Sequence, residues 1–193
     1  MLNLRIRNTH DAVPECLRKA DLVIADLETL VEDFPLPERS VSRELTDYFL
    51  WKYDRNLIFD PLYGDIQKLS NYASGGLLGE AQDILRAWEA RCVARASPRQ
   101  RMVELIRRIR DQGVFVAVTS ERMQQTATRL LRSFGLTISV DMVVGGDDVF
   151  HPRPHPEPLE LVLNATGFRT DEAVFVGSRR SDVEMGRRVG IAT

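Results

Sequence analysis

Two carboxylates stand two positions apart directly after a short apolar run. Asp26 and Glu28 follow residues 22–25, LVIA, a run long enough for a buried strand. Ligands of open α/β sheets bind beyond the carboxyl ends of the strands, so an acid there meets a bound molecule rather than bulk solvent. Such a carboxylate can attack phosphorus, or hold a magnesium ion against a phosphate. The alternative is that both acids merely open the following loop.

Hydroxyl and acidic side chains follow two further apolar runs. Thr119 and Ser120 come directly after residues 114–118, and Ser178 and Asp182 come shortly after a third run. A threonine or serine hydroxyl can donate to a phosphoryl oxygen, and the Asp182 carboxylate can bind a metal ion. Thr119 and Ser120 have a second interpretation as the N-cap of the next helix, and Asp182 would equally serve as the N-cap of the last one.

A fixed positive charge lies in a proline-rich run later in the chain. Arg153 opens residues 153–158, RPHPEP, and the prolines restrict the backbone of this segment. This cation completes a set of groups suited to phosphoryl transfer, because catalysis there is mostly positioning and charge neutralisation. The nearby His151 and His155 have no partners at the spacing of a metal motif, and we expect them to face the solvent.

The elements that must position these side chains alternate along the chain. Between residues 41 and 95, apolar side chains recur every three or four positions without a strand-like run, which predicts an all-helical insertion after the first strand. The pair Ser97–Pro98 predicts the start of the next helix, with serine at the N-cap and proline at the first helical position. Further elements are predicted as helices at 123–134, 159–165 and 183–189, a short extended stretch at 136–140, and a third buried strand at 173–176.

Alternation of strands and helices predicts an α/β fold, a doubly wound parallel sheet with an inserted all-helical cap. The predicted core domain comprises residues 1–33 and 97–193, and the predicted cap comprises residues 34–96. An insertion at that point would lie over the carboxyl edge of the sheet, which is where a lid over the ligand site belongs.

The composition excludes several classes of protein. A net charge of -2 gives no basic surface for nucleic acid and no polybasic membrane anchor. No run is apolar for long enough to span a membrane, and the first thirty residues lack the apolar core of a signal peptide. Cys16 and Cys92 are too few and too far apart for a disulfide framework or a zinc site. We therefore expect a cytoplasmic protein with reduced thiols.

The order and spacing of these groups resemble the haloacid dehalogenase superfamily, in particular its phosphoglycolate-phosphatase-like members with a helical cap. The resemblance covers residues 21–193 and implies a phosphatase that acts on a small phosphorylated metabolite. It implies that Asp26 is the nucleophile that forms an aspartyl-phosphate, and that Glu28 is the general acid and base. It also implies that Thr119, with Ser120 beside it, and Arg153 hold the phosphate.

The resemblance further implies a magnesium ion as cofactor. Residues 176–182, VGSRRSD, align with the family's acidic metal loop, usually Gly-Asp-x-x-x-Asp. The predicted metal residues are Asp26, Glu28, Ser178 and Asp182.

Two departures from the family's pattern bear on activity. The first motif usually reads Asp-x-Asp-Gly-Thr, but residues 26–30 read DLETL, so Glu28 is one methylene longer than the usual acid. A misplacement of about 1 Å can lower a rate by about 100-fold. Ser178 stands where the family places a metal-binding aspartate, and a neutral hydroxyl is a poor ligand for magnesium. Two functions therefore stay open: a magnesium-assisted phosphatase, or a catalytically silent relative that acts as a binding or regulatory module.

Overall fold

The computed structural model describes residues 19–71, 76–151 and 153–193. The strands are β1 (Leu22–Asp26), β2 (Val31–Asp33), β3 (Ser97–Pro98), β4 (Phe115–Thr119), β5 (Met142–Val144) and β6 (Ala173–Val176). The helices are α1 (Leu27–Leu30), α2 (Glu38–Tyr53), α3 (Leu62–Lys68), α4 (Leu77–Cys92), α5 (Gln100–Asp111), α6 (Gln124–Ser133), α7 (Glu157–Thr166) and α8 (Arg180–Val189). Short 3-10 turns follow α3, α4 and β5.

The main sheet has four parallel strands in the order β5-β4-β1-β6, so the predicted α/β fold with a parallel sheet is confirmed. The central strand β1 pairs with β4 on one side and β6 on the other. A further parallel bridge joins Val174 to Ala192, so the chain returns to the sheet after α8.

Alternate residues of the strands pack on opposite faces of the sheet. Val23 and Ala25 of β1 join a buried cluster with apolar side chains of α5 and α6. Leu22 and Ile24 join a second cluster with side chains of α7 and α8. A strand apolar at every position is therefore buried on both faces, as expected of a parallel strand covered by helices.

The helical insertion between β2 and β3 has an apolar cluster of its own. The cluster draws on the buried faces of α2, α3 and α4, with Phe49 and Phe59 among its largest side chains. Met123, in the loop after β4, also packs into it. This loop of the sheet therefore contacts the insertion directly.

The two connections to the insertion pair with each other. Val31 lies opposite Pro98 and Asp33 opposite Ser97, which makes β2 and β3 a short antiparallel ladder. The prediction that Ser97–Pro98 starts a helix is therefore wrong, because the pair lies in β3 and α5 begins at Gln100. A proline tolerates this position because it lies in a two-stranded edge ladder.

Three other observations bear on the sequence predictions. Residues 137–139 form a turn, and residues 136–140 contain no strand, so the predicted extended stretch is wrong. Cys92 is a buried free thiol, whereas Cys16 lies outside the described residues. Among the described residues, no helix combines the length and the apolar character needed to cross a membrane.

Candidate active site

The carboxylate of Asp26 lies at the centre of the site, where β1 ends. Its side chain is fully buried. Arg153 donates from Nη2 to Asp26 Oδ1 at 2.5 Å, whereas Asp26 Oδ2 is buried without a hydrogen-bond partner among the described residues. Because a buried polar oxygen is costly to leave unpaired, this oxygen is the atom of the site most available to a bound group.

The environment of Asp26 shifts its ionisation. Burial raises the pKa of Asp26 from 3.8 to about 6, and the charge and hydrogen bond of Arg153 oppose this rise. The negative charges of Glu28 and Asp182 raise it further. At neutral pH the carboxylate form therefore predominates, which is the form that can act as a nucleophile.

One guanidinium joins the two buried aspartates. Arg153 donates from Nη1 to Asp182 Oδ1 at 2.6 Å while its other terminal nitrogen contacts Asp26. The side chain of Arg153 is only 5% exposed, and both aspartates are fully buried. Three of the residues singled out in the sequence, 127 and 29 positions apart, thus form one buried ion-pair network.

The other oxygen of Asp182 orders the loop before α8. Asp182 Oδ2 accepts the backbone N–H groups of Ser178 and Arg179, both at 2.9 Å. The N-cap of α8 is Arg179, so the prediction of Asp182 as N-cap is wrong, and its carboxylate instead binds the loop from the third helical position. The approach is close: a Cβ at Gly177 would lie 2.3 Å from Asp182 Cβ, so only glycine fits there.

Thr119 lies beside Asp26 in the neighbouring strand. The two residues are register partners across β1 and β4. Thr119 Oγ1 is buried and, like Asp26 Oδ2, lacks a hydrogen-bond partner in the described part of the chain. Two unpaired polar atoms at paired strand positions suit one shared ligand with acceptor oxygens, because the hydroxyl can donate.

The side chain of Ser120 has a different role from that of Thr119. Its Oγ accepts the backbone N–H of Arg122 at 3.0 Å, and its own N–H donates to Val144 O at 2.9 Å. Ser120 therefore shapes the loop after β4. The N-cap of α6 is Met123, so the interpretation of Thr119 and Ser120 as helix caps is wrong.

Glu28 is paired with an arginine that sequence reasoning missed. Arg122 donates from Nη2 to Glu28 Oε2 at 2.8 Å and from Nη1 to the Tyr63 hydroxyl at 3.0 Å. Its guanidinium also lies 3.9 Å from the ring centre of Phe34. Its place in the sequence could have suggested a role in the site, because Arg122 follows β4 at the same edge of the sheet as Asp26.

A buried acid continues this network into the helical insertion. Tyr63 donates its hydroxyl to Glu89 Oε1 at 2.8 Å, and Met123 donates its backbone N–H to Glu89 Oε2 at 3.1 Å. Burial raises the pKa of Glu89 from 4.5 to about 7, against opposing hydrogen bonds from Thr126, Tyr63 and Met123. Polar contacts thus join α3 and α4 to the loop after β4.

A polar cleft of about 310 Å³ lies between the sheet edge and the insertion. Three arginines and three acids stand on its walls: Arg122, Arg153, Arg179, Glu28, Glu38 and Glu121. Residues 61–64 of the insertion form another wall. The mixture of charges and the available volume suit a small anionic molecule that makes several hydrogen bonds.

The donor set can be tested against a magnesium ion. Asp26 Oδ2 is a free carboxylate oxygen, and magnesium commonly binds one or two carboxylates together with phosphate oxygens and water. Both oxygens of Asp182 are engaged, and Glu28 Oε2 is paired with Arg122. Ser178 contributes a neutral hydroxyl at most. The residues therefore fit magnesium through one carboxylate, which is a weaker site than two would give.

The fold and site together define an α/β protein with a buried acid–arginine network at the carboxyl edge of a parallel sheet. A family model for haloacid dehalogenase-like hydrolases matches residues 56–193. The match covers most of the chain, and the protein therefore belongs to the haloacid dehalogenase-like hydrolase family. The matched region contains Thr119, Arg153 and Asp182, whereas Asp26 and Glu28 precede it.

Curated relatives share part of the chain. The pyrophosphatase PpaX of Halalkalibacterium halodurans is 33% identical over 96 residues, which are 50% of this chain and 45% of the relative. The phosphoglycolate phosphatase of Pectobacterium atrosepticum is 36% identical over 87 residues, 45% of this chain and 37% of the relative. The chain thus matches less than half the length of these relatives.

Solved structures share the fold. A protein from Bacteroides fragilis, described as a haloacid dehalogenase-like hydrolase, superposes with a TM-score of 0.67 at 16% identity, over 90% of this chain and 85% of that one. CbbY from Rhodobacter sphaeroides, solved in complex with phosphate, superposes with a TM-score of 0.59 at 18% identity, over 89% and 84%. At these identities the likeness establishes architecture alone.

Proposed function

We propose that this protein is a phosphatase that hydrolyses a small phosphorylated metabolite through an aspartyl-phosphate on Asp26. The observation that carries the proposal is the pair of unsatisfied buried atoms, Asp26 Oδ2 and Thr119 Oγ1, beside the Arg153 guanidinium. A nucleophilic oxygen, a hydroxyl donor and a fixed cation at one strand edge meet the requirements of phosphoryl transfer. The named activities of the two curated relatives, a pyrophosphatase and a phosphoglycolate phosphatase, support the same class of reaction.

In the proposed first step, Asp26 Oδ2 attacks the phosphorus atom and the bond from phosphorus to the leaving group breaks. Arg153 holds Asp26 Oδ1, which fixes the direction of attack, and its charge compensates the negative charge that gathers at the site. Thr119 donates to a phosphoryl oxygen. Glu28 supplies a proton to the leaving group.

In the second step, water attacks the phosphorus and the bond to Asp26 breaks, which regenerates the carboxylate and releases inorganic phosphate. Glu28 takes the proton from that water. Arg122 donates to Glu28 and so holds it close to the cleft as a proton acceptor. Magnesium would be held by Asp26 Oδ1, the Ser178 hydroxyl and phosphate oxygens, which leaves Oδ2 for the attack, and it would neutralise phosphate charge.

An Asp26→Asn variant tests the proposal. With magnesium present, we expect wild-type protein to release inorganic phosphate from at least one member of a panel of acetyl phosphate, p-nitrophenyl phosphate, pyrophosphate and 2-phosphoglycolate. The amide cannot form the covalent intermediate, so kcat should fall on the order of 10⁴-fold or more. Asp171→Asn is the matched control, because Asp171 is exposed and precedes β6 at the opposite edge of the sheet. Equal activity in wild type and Asp26→Asn would refute the proposal.

The second candidate function is a silent relative that binds a phosphorylated ligand without turning it over. The neutral Ser178 and the tight pairing of Glu28 with Arg122 favour it. A rise in melting temperature with inorganic phosphate, together with no Asp26-dependent hydrolysis across the panel, would select this candidate, because a ligand that binds only the native state stabilises it.

A further inference from the structure

Two histidines and a glutamate converge beside the Arg153 segment. Among the described residues, His151, His155 and Glu157 are the one group of three such side chains whose ligand atoms all lie within 4.8 Å of one another. His151 Nδ1 lies 2.8 Å from Glu157 Oε2, and His155 Nδ1 lies 4.0 Å from the same oxygen. The two imidazole rings stack with their centres 4.3 Å apart. This cluster could not be predicted from the sequence, because its members follow no standard metal motif.

The carboxylate of this cluster is held in place by the backbone. Glu157 Oε1 accepts the N–H of Phe150, and Oε2 accepts the N–H of His151, both at 2.9 Å. Metal ligands are commonly fixed by hydrogen bonds of this kind, which lowers the cost of ordering the site. Pro154 and Pro156 limit the conformations of the backbone between the ligands.

The Nδ1 atoms of both rings lie within 4.0 Å of the same carboxylate oxygen, Glu157 Oε2. His155 Nδ1 accepts the backbone N–H of Glu157 at 3.2 Å, so a metal ion would replace this hydrogen bond at the lone pair of that nitrogen. His151 Nδ1 lies 2.8 Å from Glu157 Oε2, and in the tautomer that carries its proton on Nε2 this nitrogen can bind a metal ion. Ligands about 2.0–2.2 Å from a tetrahedral ion are spaced roughly 3.3–3.6 Å apart. The observed separations of 2.8 Å and 4.0 Å lie on either side of that range.

We propose that His151, His155 and Glu157 form a binding site for a divalent transition-metal ion of the zinc class, separate from the site at Asp26. The two imidazoles favour zinc over magnesium, and a carboxylate is a ligand that zinc also accepts. Three protein ligands leave a coordination position for water.

The site has a structural consequence for Arg153. Its ligands flank Arg153 on both sides in sequence, and Arg153 is the residue that joins Asp26 to Asp182. A bound ion would link His151 on one side of Arg153 to His155 and Glu157 on the other. Zinc occupancy therefore restrains the segment that positions the arginine, without touching the arginine itself.

Zinc titration of the full chain by isothermal calorimetry tests the proposal. We expect one zinc ion per chain in wild type, and the same in Asp26→Asn, because the proposed site does not use Asp26. The double variant His151→Ala/His155→Ala should lose this binding. Each single variant should weaken it by more than the roughly 10–100-fold that loss of an outer-shell partner costs. Both rings are substantially exposed, with 62% and 40% of the side chains accessible, so the variants should fold.

His10→Ala is the matched control, because His10 is the third histidine of the chain and should leave zinc binding unchanged. Cobalt(II) absorption in the visible range gives a second readout, since nitrogen coordination changes the spectrum and a purely structural effect does not. Failure of wild type to take up zinc, or stoichiometric zinc binding in the double histidine variant, would overturn the proposal. Neither result depends on phosphatase activity, so the two proposals fail separately.

Discussion

The two oxygens of Asp26 have different surroundings, and this difference organises the site. Oδ1 is held by Arg153, whereas Oδ2 and the neighbouring Thr119 Oγ1 are buried without partners in the described chain. A carboxylate pinned by one oxygen presents the other in a fixed direction, which is the positioning that an in-line attack needs. The strong rise in the pKa of Asp26 to about 6 shows that burial exceeds the effect of the arginine.

Ser178→Asp should strengthen magnesium binding. The substitution restores a carboxylate in the loop before α8 and adds an ion–ion contact where serine offers a dipole. We expect affinity for magnesium to rise by about tenfold or more, which corresponds to about 1.4 kcal/mol. Without metal, the added negative charge lies in the loop whose backbone donates to the buried Asp182, so the melting temperature should fall. Magnesium titration by calorimetry, with Ser178→Asn as the uncharged control of equal size, measures the effect; equal affinities in the two variants would contradict the account.

At the scale of residues, sequence reasoning found what lies at strand ends. Asp26 and Thr119 could be predicted because apolar runs indicate where strands stop and because parallel strands end at one edge, whereas Asp182 lies in α8 and was found through the loop that follows β6. The direction in which a long side chain turns is decided by packing across the chain. For this reason the pairing of Glu28 with Arg122, 94 positions away, had no local signal.

At the scale of elements, the loop after β4 connects the sheet to the helical insertion. Met123 packs into the apolar cluster of the insertion, and its backbone N–H donates to Glu89 of α4. Gln67 of α3 donates to the backbone oxygen of Gly146 in the turn after β5. Polar contacts of buried groups are specific in geometry, so these bonds define one arrangement of insertion and sheet.

Glu89 should make stability depend on pH. Its pKa rises from 4.5 in the unfolded chain to about 7 in the folded protein, so the folded state binds this proton more tightly. The contribution is fully present below about pH 4.5 and is lost as the pH rises through about 7. The shift corresponds to about 3 kcal/mol of unfolding free energy.

Urea unfolding across this pH range measures the contribution. Glu89→Gln carries no ionisable proton at this position. The free energy of unfolding of the wild type, minus that of the variant, should therefore fall as the pH rises. Asp83→Asn is the control, because Asp83 lies on the same helix with 74% of its side chain exposed. A difference between wild type and Glu89→Gln that stays constant with pH would count against the proposed role of Glu89.

The boundaries of strands and helices could be predicted where the spacing of apolar residues is regular along the sequence. The apolar runs gave β1, β4 and β6 to within a residue, and the three-to-four spacing gave the helical insertion. The failure at Ser97–Pro98 has a physical reason: the pair matches a helix start locally, but the ladder with β2 outweighs that preference. Strands of two or three residues are too short to show a periodic pattern of apolar residues, so β2 and β3 could not be predicted from the sequence.

At the scale of the whole molecule, residues distant in sequence meet at one edge of the sheet. Asp26, Thr119, Arg153 and Asp182 arrive from four separate segments. The net charge of -2 does not show where the charges lie: three arginines line the cleft together with three acids. Family membership and fold follow from the comparisons, whereas the reaction at this edge is a proposal.

A structure of the protein soaked with beryllium fluoride and magnesium tests that claim most directly, because this reagent mimics a phosphoryl group on a carboxylate. We expect the beryllium atom bonded to Asp26 Oδ2, with fluorine atoms within hydrogen-bond distance of Thr119 Oγ1 and the Arg153 guanidinium. Asp26→Asn should show no adduct under the same conditions. A wild-type adduct on another side chain, or none at saturating reagent, would contradict the account.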